Sequence, residues 1–411
     1  MNTVVSGRVL RPLGAFERII DLYMHRNPVQ FSLAVECGRV VTENEIKVAL
    51  RRLQTVHPLL AARIDRSGDR PVFRSADGAV ALRIALDSTW HEQATVEQTV
   101  PIPPSPGPLV RAVLLPDSPA PRCTTIVLTF SHQIADGRGA LRAMHDLLAV
   151  LGGRDISVRD IPGAQEDLMR RPESQPAPTG PDEATGSEHP EPPARAALRP
   201  FDENTPPAVD YAELDERTVC RIRQGARSRS CTVQAMLCAA AASTLFELSD
   251  RQSVRINVPI DLRRAAGLED EVAIRFTATS VVLTRPSPQE FWELANAAAA
   301  QLAAARTREA SRNSVLTLAS LALADADDAE QAMLAATSAD IEITNLGISD
   351  AGSKDMLAHS LWGPVMSTQV DGEQILGVLT HGGRLRMTLS SHRVVAGLLA
   401  GIVAQLTAAV S

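Results

Sequence analysis

The run His132-Gln133-Ile134-Ala135-Asp136-Gly137 holds the side chains best suited to chemistry in this chain. An imidazole titrates close to neutral pH, so it can take up and return a proton there. A carboxylate four residues on can fix the loop and orient the ring by ion pairing elsewhere, and Gly137 would let the backbone turn tightly behind the histidine. The plainer reading of the same residues is a His and an Asp in a polar turn. Context separates the two. His132 follows Thr124–Phe130 (TTIVLTF), a run dense in β-branched residues that predicts a central strand covered on both faces. The carboxyl ends of such strands are where α/β proteins place their reactive groups.

The neighbouring segments predict how that loop is held. Gly139–Leu151 reads as a helix with Leu141, Met144, Leu147, Leu148 and Leu151 on one side, so the loop joins a strand to a helix. Upstream, Thr42 caps an amphipathic helix, ENEIKVALRRLQTV, with Ile46, Leu50 and Leu53 inward and Arg51 and Arg52 outward, ended by Pro58. Pro71–Arg74 and Val80–Leu86 read as short strands joined through the turn dipeptide Asp77-Gly78. Downstream, Thr232 precedes a helix over Val233–Leu248, and the strand VRINVPI ends in Asp261-Leu262-Arg263. A strand AIRFTATSVVLT, an Ala-rich helix from Gln289 to about Arg306, the strand IEITNLG, a hairpin turning at Gly382-Gly383 and a helix from about Val394 complete the pattern. Residues 171–207, rich in Pro, Glu, Ser and Gly, cannot bury a core and read as a solvated linker. The chain thus divides into an N-terminal lobe over 1–170 carrying the motif, the linker, and a C-terminal lobe over 208–411.

Together these segments resemble the chloramphenicol-acetyltransferase-like superfamily of H-x-x-x-D-G acyltransferases. That group includes the plant BAHD enzymes, the condensation domains of nonribosomal peptide synthetases, and polyketide-associated acyltransferases such as phthiocerol dimycocerosyl transferase, the last being nearest in layout. The resemblance runs from RPLGAFERIIDLY through VHPLLAARI and SHQIADG to VPIDLR and ITNLG. It implies an α/β fold of two similar lobes with mixed sheets and a channel between them, His132 near its middle. It also implies that His132 takes the proton from an acceptor hydroxyl or amine as it attacks a thioester carbonyl. Asp136 would face away from substrate and pair with Arg263, and Asn345 or backbone groups would steady the oxyanion. The co-substrate would be an acyl thioester on coenzyme A or on the phosphopantetheine of an acyl carrier protein, with no bound cofactor or metal. The expected partners are a carrier protein or polyketide synthase and a small alcohol, acting on a monomer.

Three departures sharpen this expectation. Ser131 stands where condensation domains carry a first His, the BAHD D-F-G-W-G motif is reduced to the partial echo Leu361-Trp362-Gly363-Pro364, and the linker is longer and more polar. The first two favour an ester-forming, polyketide-associated relative. Amide formation in the manner of a condensation domain, and a non-catalytic member that only binds a carrier protein, are the alternatives.

Composition narrows the remaining classes. A formal charge of −7 and 3% aromatic residues argue against nucleic acid as a partner. Gly137-Arg138-Gly139 imitates a dinucleotide loop, but Arg142 occupies the third glycine position. No G-x-S-x-G or P-loop occurs, and the other histidines, His57 and His145 among them, lack zinc spacing. Five scattered cysteines, with Cys231 and Cys238 expected in the core, predict reduced thiols and a cytoplasmic protein. Thr232–Leu248 and Val394–Val410 are apolar but short of the roughly 20 residues a bilayer needs, so both read as buried helices. Arg221, Arg223, Arg227 and Arg229 form a basic cluster that reads as a solvated helix face, or as a dock for an acidic carrier protein.

Overall fold

The computed structural model describes residues 7–169, 196–286, 290–349 and 357–411. Three sheets organise it. A five-stranded sheet runs in the order Ala358–Ser367, Gln30–Cys37, Thr124–Ser131, Val110–Pro116, Ala81–Ile84. A six-stranded sheet runs Phe276–Thr284, Ser253–Asp261, Ile341–Ser349, Ile375–His381, Arg384–Ser391, Ala208–Leu214. A small antiparallel sheet joins Val9–Pro12, Val72–Ser75 and Ala62–Asp65. Both large sheets mix parallel and antiparallel pairs, which makes the chain an α/β protein of two lobes.

In the first large sheet Thr124–Ser131 is central and buried along its whole length. Its pleat sends Ile126, Leu128 and Phe130 toward helices Glu43–Val56 and Gly137–Leu151, and Val127 toward Trp90 on the opposite face. Thr42 caps the first of these helices reciprocally with Glu45. In the second sheet Ile256, Val258, Ile341 and Ile343 pack under the helices Val233–Leu248, Phe291–Ala305 and Leu398–Ala408. Small residues let these helices approach closely. Ala239 to Ala242 are fully buried, and a Cβ on Gly401 would come within 2.3 Å of Thr244 Cγ2. Among the described residues no single helix is long and apolar enough to cross a membrane.

Several expectations need correction. The strands around Asp77-Gly78 are no hairpin: Val72–Ser75 pairs in the small sheet, while Ala81–Ile84 joins the five-stranded sheet beside Val110–Pro116. Local turn propensity gave way to long-range pairing. A cut at 208 does not separate the lobes, because Ala358–Ser367 leaves the C-terminal half and pairs with Gln30–Cys37. The described end of the linker is tethered, with Arg199 N donating to Gln369 O and Asp371 N to Ala197 O, both at 2.8 Å; residues 171–195 lie outside the described residues. The last helix begins at Leu398, four residues later than predicted, because Gly397 sits at φ +79°. Two helices that sequence patterning missed, Arg308–Ser320 and Ala326–Thr337, are capped by Thr307 and Asp325.

Candidate active site

His132 emerges where the central strand of the first sheet ends, and its backbone N donates to Val29 O at 3.0 Å. The rest of the loop is fixed from behind. Ser131 Oγ donates to Gln133 Oε1 at 2.9 Å, and Gln133 Nε2 donates to Asp21 Oδ1 at 2.6 Å. Arg66 holds the same Asp21 through two bonds. Gln133 and Ser131 are fully buried, so this support has no competing solvent. The sequence reading did not assign them a role; a buried polar pair inside an apolar strand end was the available signal.

Asp136 turns the chain into the following helix. Its carboxylate accepts from Gly139 N at 2.7 Å as the N-cap, from Arg275 N at 2.7 Å, and from both terminal nitrogens of Arg263 at 2.9 Å each. Burial drives this carboxyl toward neutrality, but the Arg263 charge and the hydrogen bonds outweigh it and hold its pKa below the ordinary value. Arg263 also donates to Asp261 Oδ1 and to the carbonyls of Glu271 and Ala273. Residues 273–275, expected to open a strand, instead peel away from it and supply these partners; the strand starts at Phe276. Gly137 does not serve a left-handed turn. It is an ordinary first helical residue, and a Cβ there would lie 2.4 Å from Leu346 Cδ2.

Two cavities meet at His132. One, of about 530 Å³, is lined by Phe16, Tyr23, Val29 and residues of both missed helices, including Leu318 and Met333. The other, of about 80 Å³, is lined by Arg138, Asp261, Thr344, Asn345 and Leu346. His132, Pro259, Phe276, Glu342 and Met366 line both. The pleat explains this wall: with Ile256, Val258, Ile341 and Ile343 turned to the helices, Asn257, Pro259, Glu342 and Thr344 face the cavities.

The His132 ring lies between Phe31, at 5.1 Å between centroids, and Phe276, at 5.6 Å. Desolvation lowers its pKa, opposed by its own carbonyl and by Asp136, so the neutral ring is favoured at neutral pH. No other residue bonds Nδ1. Nδ1 is thus buried with no hydrogen-bond partner, and a neutral ring carries its lone pair on one nitrogen and its proton on the other.

Asn345 lines the smaller cavity, and its Oδ1 accepts from Gly347 N at 2.9 Å, leaving its amide NH2 to donate. Arg221, Arg223, Arg227 and Arg229 are all exposed, line neither cavity, and lie on or just after the helix Glu216–Ser228; Arg229 stacks 4.3 Å over Trp292. His57 pairs with Asp146 at 2.8 Å in the core, and His145 contacts Ser349. Among the described residues no group of three or more His, Cys, Asp or Glu is placed to hold a metal.

Glu342 escaped sequence reasoning. It sits on a central strand and receives one side-chain hydrogen bond, from Asn257 Nδ2 at 2.8 Å. Burial, offset by that bond and reinforced by Glu373, raises its pKa to about 7. A carboxyl between two isoleucines on an interior strand was the signal.

No protein-family model and no curated protein matches the sequence. Solved structures do match it. Polyketide synthase associated protein 5 from Mycobacterium tuberculosis superposes with a TM-score of 0.66 at 16% identity, over 99% of both chains. Trichothecene 15-O-acetyltransferase from Fusarium sporotrichioides gives 0.67 at 13% identity, over 98% of this chain and 95% of that one. The first condensation domain of the calcium-dependent antibiotic synthetase gives 0.65 at 14% identity, over 99% and 98%. The chain therefore has the two-lobed fold of condensation domains and chloramphenicol-acetyltransferase-like proteins.

Proposed function

We propose that this chain is an acyltransferase that moves an acyl group from a thioester to a hydroxyl acceptor, with His132 as general base. The observation that carries the reading is the placement of an imidazole, packed against Phe31 and Phe276, where two cavities share their lining. A base with access from both sides can serve two substrates that must meet at one atom.

In this mechanism His132 Nε2 accepts the hydroxyl proton as the oxygen attacks the thioester carbonyl. The tetrahedral oxyanion forms beside donors such as the Asn345 amide. Collapse breaks the carbon–sulfur bond, and the imidazolium returns its proton to the departing thiolate. One ester and one thiol result. Asp136 and Arg263 act as positioning residues that hold the loop. The donor is coenzyme A or a carrier protein's phosphopantetheine, in a polyketide or lipid-type pathway of the cytosol. The likeness to a polyketide synthase associated protein and to an O-acetyltransferase supports this class.

The test is thioester consumption with a panel of acyl-coenzyme A donors and a long-chain alcohol, followed by a loaded acyl carrier protein. Free thiol and ester should appear with wild type and fall to background in His132→Ala. Equal rates in the two proteins would remove His132 from the mechanism. Competition with a matched amine separates the ester-forming reaction from a condensation-type one.

A further inference from the structure

We infer that Glu342 and Asn257 form a recognition point for a substrate hydroxyl close to the reacting carbon. The inference rests on reading the His132 junction as an acyl-transfer site and names a feature of its substrate. The two residues are register partners on adjacent parallel strands, and both turn to the cavity face of the sheet. Asn257 is 3% exposed, and while its Nδ2 donates to Glu342 its Oδ1 has no hydrogen-bond partner. The residue lines the cavity, and its buried amide oxygen without a donor is costly in the unliganded protein; a ligand donor that reaches it removes that cost. Asn257 lines the larger cavity, and Glu342 lines both cavities together with His132.

The chemistry of the pair selects a hydroxyl. Asn257 Oδ1 accepts, and Glu342 accepts in either state and also donates when protonated. A hydroxyl both donates and accepts, so it satisfies the pair in either state. An ammonium only donates and leaves the O–H of a protonated Glu342 without an acceptor, and a methylene does neither. Surrounding groups do not already fill this role: the nearby Glu373 is engaged by Ser367 and Thr368, and the Tyr23 hydroxyl is committed to Thr368 O. Glu342 and His132 line the same two cavities, so the recognised hydroxyl belongs to a substrate held where they meet. A 3-hydroxyacyl thioester and a 1,3-diol acceptor are probes that carry such a hydroxyl on the donor and on the acceptor.

The experiment is calorimetric titration of the full chain with two matched pairs, 3-hydroxyoctanoyl-coenzyme A against octanoyl-coenzyme A, and 1,3-octanediol against 1-octanol. Wild type should bind the hydroxylated member of one pair about tenfold or more tightly. The pair that shows it identifies the donor or the acceptor as the hydroxylated partner. Glu342→Leu and Asn257→Leu, checked for folding by circular dichroism, should each reduce the ratio to about one, and Glu342→Gln should retain part of it. Equal affinities within both pairs, or a preference that survives both leucine variants, would overturn the assignment, as would tighter binding of the 3-amino analogue. Preference without His132-dependent turnover would keep this site and reject the base. Turnover without preference would do the reverse.

Discussion

Replacing Arg263 with Met offers the strongest test of how the reactive loop is held. Arg263 is 2% exposed and Asp136 5%, and two hydrogen bonds of 2.9 Å join them. Removing one partner of such a pair leaves a buried charge uncompensated, which costs about 3–5 kcal/mol. Two backbone donors, Gly139 N and Arg275 N, stay on the carboxylate and favour the lower end. The carbonyls of Glu271 and Ala273 lose their donor at the same time, adding to the loss. The expected destabilisation at neutral pH is therefore about 3–4 kcal/mol, read by guanidinium or urea unfolding. Its pH dependence has a definite sign. The folded-state pKa of Asp136 is depressed, so its stabilising contribution is complete above the unfolded-chain value near 4 and is lost as pH falls through the lower folded value. In Arg263→Met burial is opposed only by the Gly139 and Arg275 backbone donors, and the carboxyl takes up its proton earlier. The gap between the two proteins should thus be widest at neutral pH and shrink below about pH 4. Replacing both partners with Leu should recover part of the loss. A destabilisation under about 1 kcal/mol, or a gap constant across pH, would refute the account of a buried pair organising the loop.

Further outcomes follow from the same geometry. The acid limb of kcat/KM should fall below 6.5, the ordinary histidine value, because Phe31 and Phe276 desolvate the ring against the pull of Asp136. Phe276→Ala should move that limb upward, measured also in a Glu342→Gln background so that the Glu342 ionisation near 7 does not overlap. Gly137→Ala should cost about 1–3 kcal/mol by overpacking against Leu346, and Leu346→Ala should relieve the clash in the double variant, read by thermal unfolding. Thr42→Ala removes a reciprocal cap and should cost about 1 kcal/mol. If the exposed arginines dock a carrier protein, Arg223→Glu with Arg227→Glu should raise KM for a carrier-borne donor on the order of tenfold, an effect that salt diminishes, and should change coenzyme A thioester kinetics far less.

What the sequence displayed were features encoded within one element or motif. The capped helices at Thr42 and Thr232, the apolar run before Ser131, and the double-glycine turn at Gly382-Gly383 each carry their own signal, and each element formed within a few residues of its expected ends. The motif also named the residues of the loop, and the structure brings Asp136 against Arg263, 127 positions later. Features that depend on pairing between distant segments were hidden. The Asp77-Gly78 dipeptide looked like a hairpin because nothing local says that its flanking strands join different sheets. Glu342 and Asn257 become neighbours only through parallel pairing of two strands, and the walls of the larger cavity come from helices with weak amphipathic pattern. The four arginines, read as a solvated helix face or a carrier dock, lie exposed on or just after Glu216–Ser228 and line neither cavity.

The strand Ala358–Ser367 has a consequence for how the chain must be made. Its ladder partners in Gln30–Cys37 leave the ribosome long before it does; Glu36 and Ser360, bonded in the finished sheet, are 324 positions apart. Until then the Gln30–Cys37 strand ends the nascent sheet with unpaired backbone groups, and its apolar residues await cover. Native closure of the first lobe is thus postponed until most of the second has been translated, and the interval exposes a sticky edge to neighbouring chains. Expression of the first 170 residues alone should accordingly yield aggregates, whereas co-expression with the remainder should recover soluble material, measurable as the supernatant fraction after lysis.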